Sequence, residues 1–397
     1  MKTSAAHGLS NPFVKDDWNP LLKNYSRYLV EFVKGEGAYL YDSNGREYLD
    51  FLSGIAVTGF GHNHAAIKSA VEKQLNELWH VSNLFESTGQ INLAQKIASA
   101  SGLDSVFFCN SGTEANEAAI KFARKWGNGK SQIITALGSF HGRTLGSMSA
   151  TGQYKIWEGF FPLTPGFCYV PFGDIEAIEN SFNSNTVAIM LEPIQGESGI
   201  VIPPEGYLKQ VREFCDKHSL LLILDEVQTG AGRTGKTFAY QHDDILPDIV
   251  TLAKGIANGI PLGAVACTKE VGDTMVPGTH GSTFGGNPLA VAAANSVFDL
   301  LDDETLQHIN KTGEELSNSI KFIGSNKIKE VRGKGLLIGV EFSEGIDAKK
   351  IAGKLLNQCV VTGTSGNSVI RLLPPYIINQ KEINKFIEIF VDVIETM

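Results

Sequence analysis

Five short aliphatic runs alternate with segments whose apolar residues recur every three to four positions, and this alternation constrains the fold more than any other feature. The runs predict strands at residues 105–110, 131–137, 187–193, 220–227 and 248–254. The segments between them predict helices, as at residues 113–126 and 205–218. Strands and helices that alternate in this way form a mostly parallel sheet with helices on both faces. The sequence therefore predicts an α/β protein whose large domain spans residues 59–296.

The two ends of the chain have a different pattern from its middle. Asn44 and Gly45 stand between two alternating apolar runs, which is a strong signal for a β-hairpin. Residues 297–397 mix helical segments with short strand-like runs. We therefore expect residues 1–58 to join residues 297–397 in a second, smaller α+β domain.

Charge and composition argue against several classes of protein. The chain has 397 residues and a net charge of −9, which argues against nucleic acid as a general partner because phosphate backbones attract basic surfaces. Its five cysteines lie far apart without a C-x-x-C pair, which predicts free thiols in a reducing compartment. Residues 1–20 lack the apolar core of a leader peptide, and no apolar stretch reaches the ~18 residues that cross a membrane. We therefore expect a cytoplasmic protein.

A polar segment joins the first predicted strand to an amphipathic helix. The first N–H groups of a helix are unpaired and carry partial positive charge, and Gly112 lets a ligand approach this backbone closely. Ser111 and Thr113 add two hydroxyl groups. The segment can therefore bind a phosphate, or it can be an ordinary helix cap followed by acidic side chains. It is neither a P-loop nor a dinucleotide-binding glycine motif, which argues against nucleoside triphosphates and nicotinamide cofactors.

Asp225 ends the most apolar of the predicted strands. An uninterrupted aliphatic run precedes it, so we expect the strand to be buried on both faces and its carboxylate to have a partner. The carboxyl ends of parallel strands are also where open α/β sheets bind ligands. The partner can be a metal ion, a buried arginine or a protonated ring nitrogen, but the sequence suggests no set of further metal ligands. A solvated strand end is the remaining interpretation.

Lys254 ends the last predicted strand, within an apolar segment. It can close the strand with its aliphatic stem on apolar surface, or it can be an amine nucleophile whose pKa is lowered by burial. The phosphate-binding segment and Asp225 favour the second interpretation. Together the three features match pyridoxal 5′-phosphate, which needs a phosphate site, a lysine that holds its aldehyde as a Schiff base, and an acid beside its ring nitrogen. A phosphate-binding α/β protein without this chemistry is the alternative outside the enzymes.

Seven motifs lie in order along the chain: NSGTEANE, FHGRTLG, EPIQGE, DEVQTGAGRTG, LAKG, GSTFGGNPLA and VRGKGLLIGVE. With them, the chain resembles the class III, or ornithine-type, aminotransferases of pyridoxal-phosphate fold type I. The resemblance covers residues 34–379, which is most of the chain. It implies pyridoxal 5′-phosphate as cofactor, the two-domain architecture of that fold type, and a homodimer whose active sites are shared across the interface.

The resemblance also implies a role for each matching residue. Lys254 and Asp225 are the implied catalytic residues. The residues implied to hold the cofactor are Ser111, Gly112 and Thr113 at the phosphate, Thr283 at the phosphate of the neighbouring subunit, Phe140 and Val227 on the ring faces, and Gln228 at the phenolic oxygen. The residues implied to contact substrates are Arg143 and Ser282 at the amine donor, Arg371 at the α-carboxylate of glutamate or 2-oxoglutarate, and Glu197 as a gate that pairs with Arg371.

Within the family, the resemblance implies transamination of N2-acetyl-L-ornithine with 2-oxoglutarate, a ping-pong reaction of arginine biosynthesis. Ile55 stands where relatives that act on free ornithine carry a tyrosine, and His141 stands where they carry a bulky aromatic residue. Ile55 cannot hydrogen-bond a free amino acid head group, which favours an N-acylated donor. Succinylornithine, ornithine and N-succinyl-diaminopimelate stay open as donors. An aminomutase, which moves an amine within one molecule, also stays open.

Overall fold

The central element of the protein is a seven-stranded sheet, in a computed structural model that describes residues 20–396. The strands, in order across the sheet, are Ser105–Cys109, Gly263–Cys267, Ile249–Leu252, Leu221–Asp225, Thr186–Leu191, Gln132–Ala136 and Phe167–Val170. Gly263–Cys267 runs antiparallel to both of its neighbours, and the other pairings are parallel. The five predicted strands are all present in this sheet, and the predicted fold class is confirmed.

Side chains of the central strands point alternately into two apolar cores, one on each face of the sheet. Leu222 and Leu224 lie in one core, and Leu221 and Ile223 lie in the other. All four are at most 4% exposed. Both faces must therefore be covered, which explains why these strands are almost continuously aliphatic rather than alternating with polar residues.

Helices cover both faces of this sheet. The helix Gly112–Trp126 packs its alanines and Ile120 against one face. The other face is covered by three helices with buried apolar residues, Thr88–Ser101, Tyr207–His218 and Pro288–Leu300. The remaining helices are Ala65–Leu75, Leu145–Ala150, Tyr154–Trp157, Ile175–Ser181, Lys269–Gly272, Asp303–Phe322, Ala348–Asn357 and Gln380–Glu395, with 3₁₀ turns at Ala239–His242 and Lys254–Ala257.

The two ends of the chain pair with each other in a second, four-stranded sheet. Its strands, in order, are Phe32–Glu36, Tyr39–Asp42, Glu47–Asp50 and Val360–Val361. The predicted hairpin at Asn44 and Gly45 joins the second strand to the third, and Gly45 has a φ of +79°, a conformation that glycine adopts easily. Val360–Val361 then adds to the hairpin in parallel.

A third sheet is formed by the carboxyl-terminal part of the chain alone. Its antiparallel strands, in order, are Ile328–Lys334, Leu337–Phe342, Val369–Leu372 and Gly363–Ser365. The predicted boundary between residues 296 and 297 falls inside the helix Pro288–Leu300. The exact boundaries of the large domain and the small domain stay predictions.

The segment Ser53–Ala56 winds as a left-handed turn. The φ angles of its residues are +51° at Ser53, +62° at Gly54, +69° at Ile55 and +63° at Ala56. The turn is closed by the backbone, because the carbonyl of Leu52 accepts from the N–H groups of Ile55 and Ala56 at 2.9 and 3.0 Å. Only glycine adopts this conformation without strain, so three of these four residues are strained.

Four expectations concern membrane spans, a leader peptide, the cysteines and the location of the protein. Within residues 20–396, no helix is both long enough and apolar enough to cross a membrane. Residues 1–19, most of the segment in which no leader peptide is expected, lie outside the described residues. The five cysteines are free thiols. A cytoplasmic location stays a prediction.

Candidate active site

A cavity of about 440 Å³ opens at the edge of the central sheet where its parallel strands end. This volume is in the range of small-molecule sites. The predicted site residues that line the cavity are Ser111, Gly112, Thr113, Phe140, Arg143, Glu197, Asp225, Val227, Gln228 and Lys254. Arg371, Ser282 and Thr283 are outside this lining. The sequence therefore identified side chains that the fold brings together from loops after five different strands.

Lys254 is half-buried in the cavity wall, but it does not end a strand as predicted. The strand Ile249–Leu252 stops two residues earlier, and Lys254 begins the 3₁₀ turn Lys254–Ala257 with a φ of +48°. Burial lowers the pKa of Lys254 below its usual 10.5, while Glu197 and Asp225 act in the opposite direction. The turn therefore aims the amine at the cavity and favours its neutral form.

Asp225 is buried at the end of its strand and accepts three hydrogen bonds. Its Oδ2 accepts from Asn116 Nδ2 at 2.7 Å and from His141 Nδ1 at 2.8 Å. Its Oδ1 accepts from the N–H of Val227 at 3.0 Å. The carboxylate can only accept, so His141 carries its proton on Nδ1. Within residues 20–396, no group of three or more His, Cys, Asp or Glu side chains is placed to hold a metal ion.

The predicted phosphate segment lies at the start of the helix Gly112–Trp126. The Ser111 side chain caps this helix, because its Oγ accepts from the N–H of Glu114 at 3.3 Å. The Thr113 hydroxyl lies 2.6 Å from Ser147 Oγ, in the helix Leu145–Ala150 that follows Arg143. A Cβ at Gly112 would lie 2.8 Å from Val227 Cγ1. The helix-cap interpretation is thus correct for the Ser111 side chain. The backbone N–H groups at the start of this helix can still bind an anion.

The side chains of Phe140, Val227 and Gln228 face the same cavity. The Arg143 guanidinium lies over the Phe140 ring, 5.5 Å from its centre. Gln228 donates from Nε2 to Glu197 Oε1 at 3.3 Å. Its Oε1 is buried without a partner among the described residues. This part of the cavity therefore combines apolar surface with the Gln228 amide oxygen, which can accept a hydrogen bond from a ligand.

Glu197, which is half-buried in the cavity wall, forms an ion pair with the buried Arg371. Arg371 lies on the strand Val369–Leu372 of the third sheet, and its Nη1 donates to Glu197 Oε1 at 2.8 Å and to the carbonyl of Gly196 at 3.3 Å. Although burial opposes it, Arg371 holds the pKa of Glu197 below its usual value. The Arg371 Nε has no partner among residues 20–396. The ion pair therefore uses only some of the N–H donors of the Arg371 guanidinium.

Ser282 and Thr283 stand apart from the cavity lining. Ser282 Oγ accepts from Asn110 Nδ2 at 3.3 Å and from the N–H of Gly285 at 2.9 Å, and Asn110 does line the cavity. Thr283 is exposed on the surface of the chain. Ser282 thus contacts the cavity only through its hydrogen bond with Asn110. Thr283 does not line the cavity of its own chain.

Four side chains in or next to the site have positions or contacts that the sequence analysis did not predict. Asn116 and His141 both donate to Asp225, and Thr251 Oγ1 donates to Asn116 Oδ1 at 2.7 Å, which fixes the orientation of the amide. Glu192 lines the cavity at the end of the strand next to Asp225. A signal existed for Glu192, because it is a carboxylate directly after a buried strand, as Asp225 is.

Pyridoxal 5′-phosphate fits this arrangement. The helix start at Gly112, the amine of Lys254 and the carboxylate of Asp225 all line one cavity, and these are the three groups that the cofactor requires. Gly112 is packed against Val227 so tightly that a side chain there would collide with it. The unpartnered Oε1 of Gln228 adds a polar atom that a ligand can satisfy.

Comparison with known proteins agrees with this geometry. Residues 22–394 match the aminotransferase class-III family. The acetylornithine aminotransferase of Methanopyrus kandleri is 45% identical over 366 residues, which cover 92% of this chain and 94% of that protein.

Solved structures of similar proteins point to the same family. The crystal structure of ornithine aminotransferase from Toxoplasma gondii has a TM-score of 0.91 at 34% identity, and the match covers 95% of this chain and 94% of that one. The N-acetylornithine aminotransferase from Stenotrophomonas maltophilia has a TM-score of 0.82 at 37% identity, covering 94% of this chain and 97% of that one. The chain belongs to the class-III aminotransferases, enzymes that depend on pyridoxal 5′-phosphate.

Proposed function

We propose that this aminotransferase transfers the δ-amine of N2-acetyl-L-ornithine to 2-oxoglutarate. The products are N-acetyl-L-glutamate 5-semialdehyde and L-glutamate, in a ping-pong reaction of arginine biosynthesis. The observation that carries the proposal is the ion pair of Glu197 and Arg371 beside Lys254, because one pocket that serves two different substrates needs a carboxylate site that opens and closes. The name and identity of the Methanopyrus kandleri relative support the choice of donor.

The cofactor would be held by residues that line the cavity. When bound, pyridoxal 5′-phosphate supplies an aldehyde for the amine and a ring that withdraws electrons from the substrate. The residues that we assign to it are Ser111, Gly112 and Thr113 at the phosphate, Phe140 and Val227 on the ring, and Gln228 at the phenolic oxygen. Asp225 is assigned to the ring nitrogen, and its three hydrogen-bond donors fix the direction of its carboxylate.

Lys254 is assigned to binding the cofactor and to moving a proton. Its amine would take a proton from the substrate carbon that carries the nitrogen and would give it to the C4′ carbon of the cofactor. A base works best when its pKa lies near the operating pH, and burial lowers the pKa of Lys254 toward that range. The lysine thus has the protonation behaviour that both half-reactions need.

Glu197 and Arg371 are assigned to the selection between substrates. With acetylornithine bound, Glu197 would stay on Arg371. With glutamate or 2-oxoglutarate bound, Glu197 would turn away and Arg371 would bind the α-carboxylate through two parallel hydrogen bonds. The Nε of Arg371 supports this assignment, because it is a buried donor that has no partner among residues 20–396 in the paired state.

Arg143 and Ser282 are assigned to the acylated donor. Arg143 is exposed at the cavity and can approach a substrate carboxylate. Ile55, which suggested an acylated donor, is 40% exposed and does not line the cavity, whereas Val57 does. Any selectivity from Ile55 would therefore not come from direct contact within the cavity of its own chain.

A second copy of the chain is the partner that we propose. Large apolar side chains are exposed near Thr283, among them Trp79, Leu84, Phe85 and Phe284, which are at least 60% exposed. Contiguous apolar surface of this kind marks an interaction site, and symmetric dimers are the commonest assemblies. In such a homodimer Thr283 would reach the phosphate bound by the other subunit.

The proposed function is tested by comparing four amine donors. The enzyme loaded with pyridoxal 5′-phosphate is mixed with N-acetylornithine, ornithine, N-succinylornithine or N-succinyl-diaminopimelate, and the loss of visible absorbance is followed over a single turnover. We expect N-acetylornithine to react with the highest kcat/KM. A preference for ornithine would contradict the proposal and would agree with the similarity to the Toxoplasma gondii enzyme. Steady turnover without a keto acid would indicate an aminomutase.

A further inference from the structure

Glu192 is a buried carboxylate in the cavity wall, and it has no role in the proposed reaction as described so far. It directly follows the strand Thr186–Leu191, and the register pairs Leu191 with Leu224 of the neighbouring strand. Glu192 and Asp225 therefore end adjacent parallel strands at the same edge of the sheet. Glu192 is 6% exposed. A carboxylate that is kept in such a place needs a physical reason, because burial disfavours its charge.

The two oxygens of Glu192 accept hydrogen bonds from two different loops. Oε2 accepts from the N–H of Phe140 at 3.0 Å, and Oε1 accepts from the N–H of Gly196 at 3.3 Å. Phe140 faces the cavity, and Gly196 directly precedes Glu197. An ionised carboxylate suits this position because both oxygens accept. A glutamine or a protonated acid would present a donor to one of the two N–H groups.

The loop on the Gly196 side has little room to move. The carbonyl of Gly196 accepts from Arg371 Nη1 at 3.3 Å. A side chain at Gly196 would collide with Gln228. Glu192 thus holds a segment that is already packed against two residues of the site, and a change in its hydrogen bonds would be transmitted to Glu197.

We propose that Glu192 is a positioning residue that sets the spacing between Phe140 and Glu197 through these two hydrogen bonds, and that it does so only as an ionised carboxylate. This inference deepens the proposed function and rests on it, since Phe140 and Glu197 receive their roles there. Glu192 contacts neither substrate nor cofactor in this mechanism and acts through the two loops.

The ionisation of Glu192 responds to the charged groups around it, which are His141, Asp225 and Lys254. Burial raises the pKa of Glu192 to about 7, His141 opposes this shift, and Asp225 adds to it. Below that pH the acid form predominates and one of the two N–H groups loses its acceptor. The efficiency with 2-oxoglutarate, which requires the movement of Glu197, is therefore expected to rise as the pH increases through about 7.

The chain provides a matched control in Glu226. It is 1% exposed, burial also raises its pKa to about 7, and its carboxylate accepts from Thr229 Oγ1 and from the N–H of Tyr240. It does not line the cavity. The variants Glu192→Gln and Glu226→Gln therefore remove the same charge at similar burial. They differ in the groups that donate hydrogen bonds to the carboxylate.

The experiment compares both variants with the wild-type enzyme loaded with pyridoxal 5′-phosphate. We measure kcat/KM for 2-oxoglutarate against pH, and the visible circular dichroism of the bound cofactor. Glu192→Gln is expected to lower kcat/KM about tenfold, the usual scale for one lost hydrogen bond to a charged group. It should also remove the inflection near pH 7 and change the circular dichroism. Glu226→Gln should keep both the inflection and the spectrum.

Equal changes in both variants, or an inflection that survives in Glu192→Gln, would overturn the proposal. If Glu192→Gln does not fold, Glu192→Asp provides the test, because it keeps an ionisable carboxylate and should retain an inflection at reduced kcat/KM. Failure of the wild-type enzyme to use N-acetylornithine would count against the proposed function instead. The circular dichroism comparison requires no amine donor and would still test Glu192.

Discussion

Lys254 combines two unfavourable features in one residue. Its φ of +48° lies in the left-handed region, which costs a residue other than glycine roughly 1–2 kcal/mol. Its amine is also buried, which lowers its pKa. The apolar sequence around Lys254 predicted the burial. It could not predict the backbone, because nothing in the residues 253–255 requires a left-handed lysine, and only the packing of the turn imposes it.

The lowered pKa of Lys254 makes the stability of the cofactor-free protein depend on pH. Between the lowered pKa and the usual 10.5, Lys254 binds fewer protons in the folded protein than in the unfolded chain, so its contribution to the free energy of unfolding rises with pH. Lys254→Met removes this contribution and keeps an unbranched side chain. We expect the variant to be more stable than the wild type at neutral pH, with the difference shrinking as the pH rises.

The measurement is urea unfolding of both cofactor-free proteins at a series of pH values. The same left-handed backbone is present in both, so strain cancels in the comparison. A stability difference that does not vary with pH would show that the Lys254 amine titrates normally in the folded protein.

Other residues of the site show where sequence reasoning stops. Asp225 could be predicted because a strand end is visible in a run of aliphatic residues. Asn116 donates to it from the helix Gly112–Trp126, and on that helix it looks like any other polar position. His141 was noted for its residue type, but its bond to Asp225 depends on how a loop after a different strand folds. Contacts between distant segments leave no local pattern to read.

The left-handed turn at Ser53–Ala56 is an element whose strain can be measured. In a right-handed helix, alanine is more stable than glycine by about 1 kcal/mol. At the φ of +69° of Ile55 the order should be reversed, because only glycine occupies this region freely. We therefore expect Ile55→Gly to be more stable than Ile55→Ala by about 1 kcal/mol. Both variants lose the same half-exposed side chain beyond Cβ.

Thermal or urea unfolding of the two variants checks this expectation. If Ile55→Ala were as stable as Ile55→Gly, or more so, the turn would not be left-handed in solution. The amine-donor comparison on the same variants then reports separately on whether Ile55 contributes to selectivity.

Among the seven strands of the central sheet, the five with aliphatic runs were predicted and the other two were not. Gly263–Cys267 consists of small residues, and it follows an apolar segment that already contained a predicted strand and Lys254. Phe167–Val170 is a four-residue strand at the edge of the sheet and is only partly buried. Short strands take their structure from the neighbours they pair with, so their own residues carry a weak signal.

At the scale of the whole molecule, a shared active site can be tested with hybrid dimers. Lys254→Ala and Thr283→Glu, each expected to be inactive alone, are co-expressed in equal amounts so that the dimers form at random. If Thr283 serves the other subunit, one site of the hybrid has both defects and the other has none. An equal mixture should then recover about a quarter of the wild-type activity, because half of the dimers are hybrids with one intact site.

The opposite arrangement gives a clear result. If Thr283 acted within its own chain, every site of the hybrid would carry one defect and the mixture would stay inactive. Size-exclusion chromatography of each variant provides the control that dimers still form.

The antiparallel strand Gly263–Cys267 acts as a spacer inside the sheet. It lies between the strand that leads to the proposed phosphate-binding segment and the strand that leads to Lys254, and it pairs Gly263 with Cys109 and Ala264 with Leu252. Two strand spacings, roughly 9–10 Å, therefore separate these two chain segments. This distance is set by backbone hydrogen bonds and not by loop residues. The loops around the cavity can thus change in sequence to accept new substrates, while the distance between the two chain segments that would hold the cofactor stays constant.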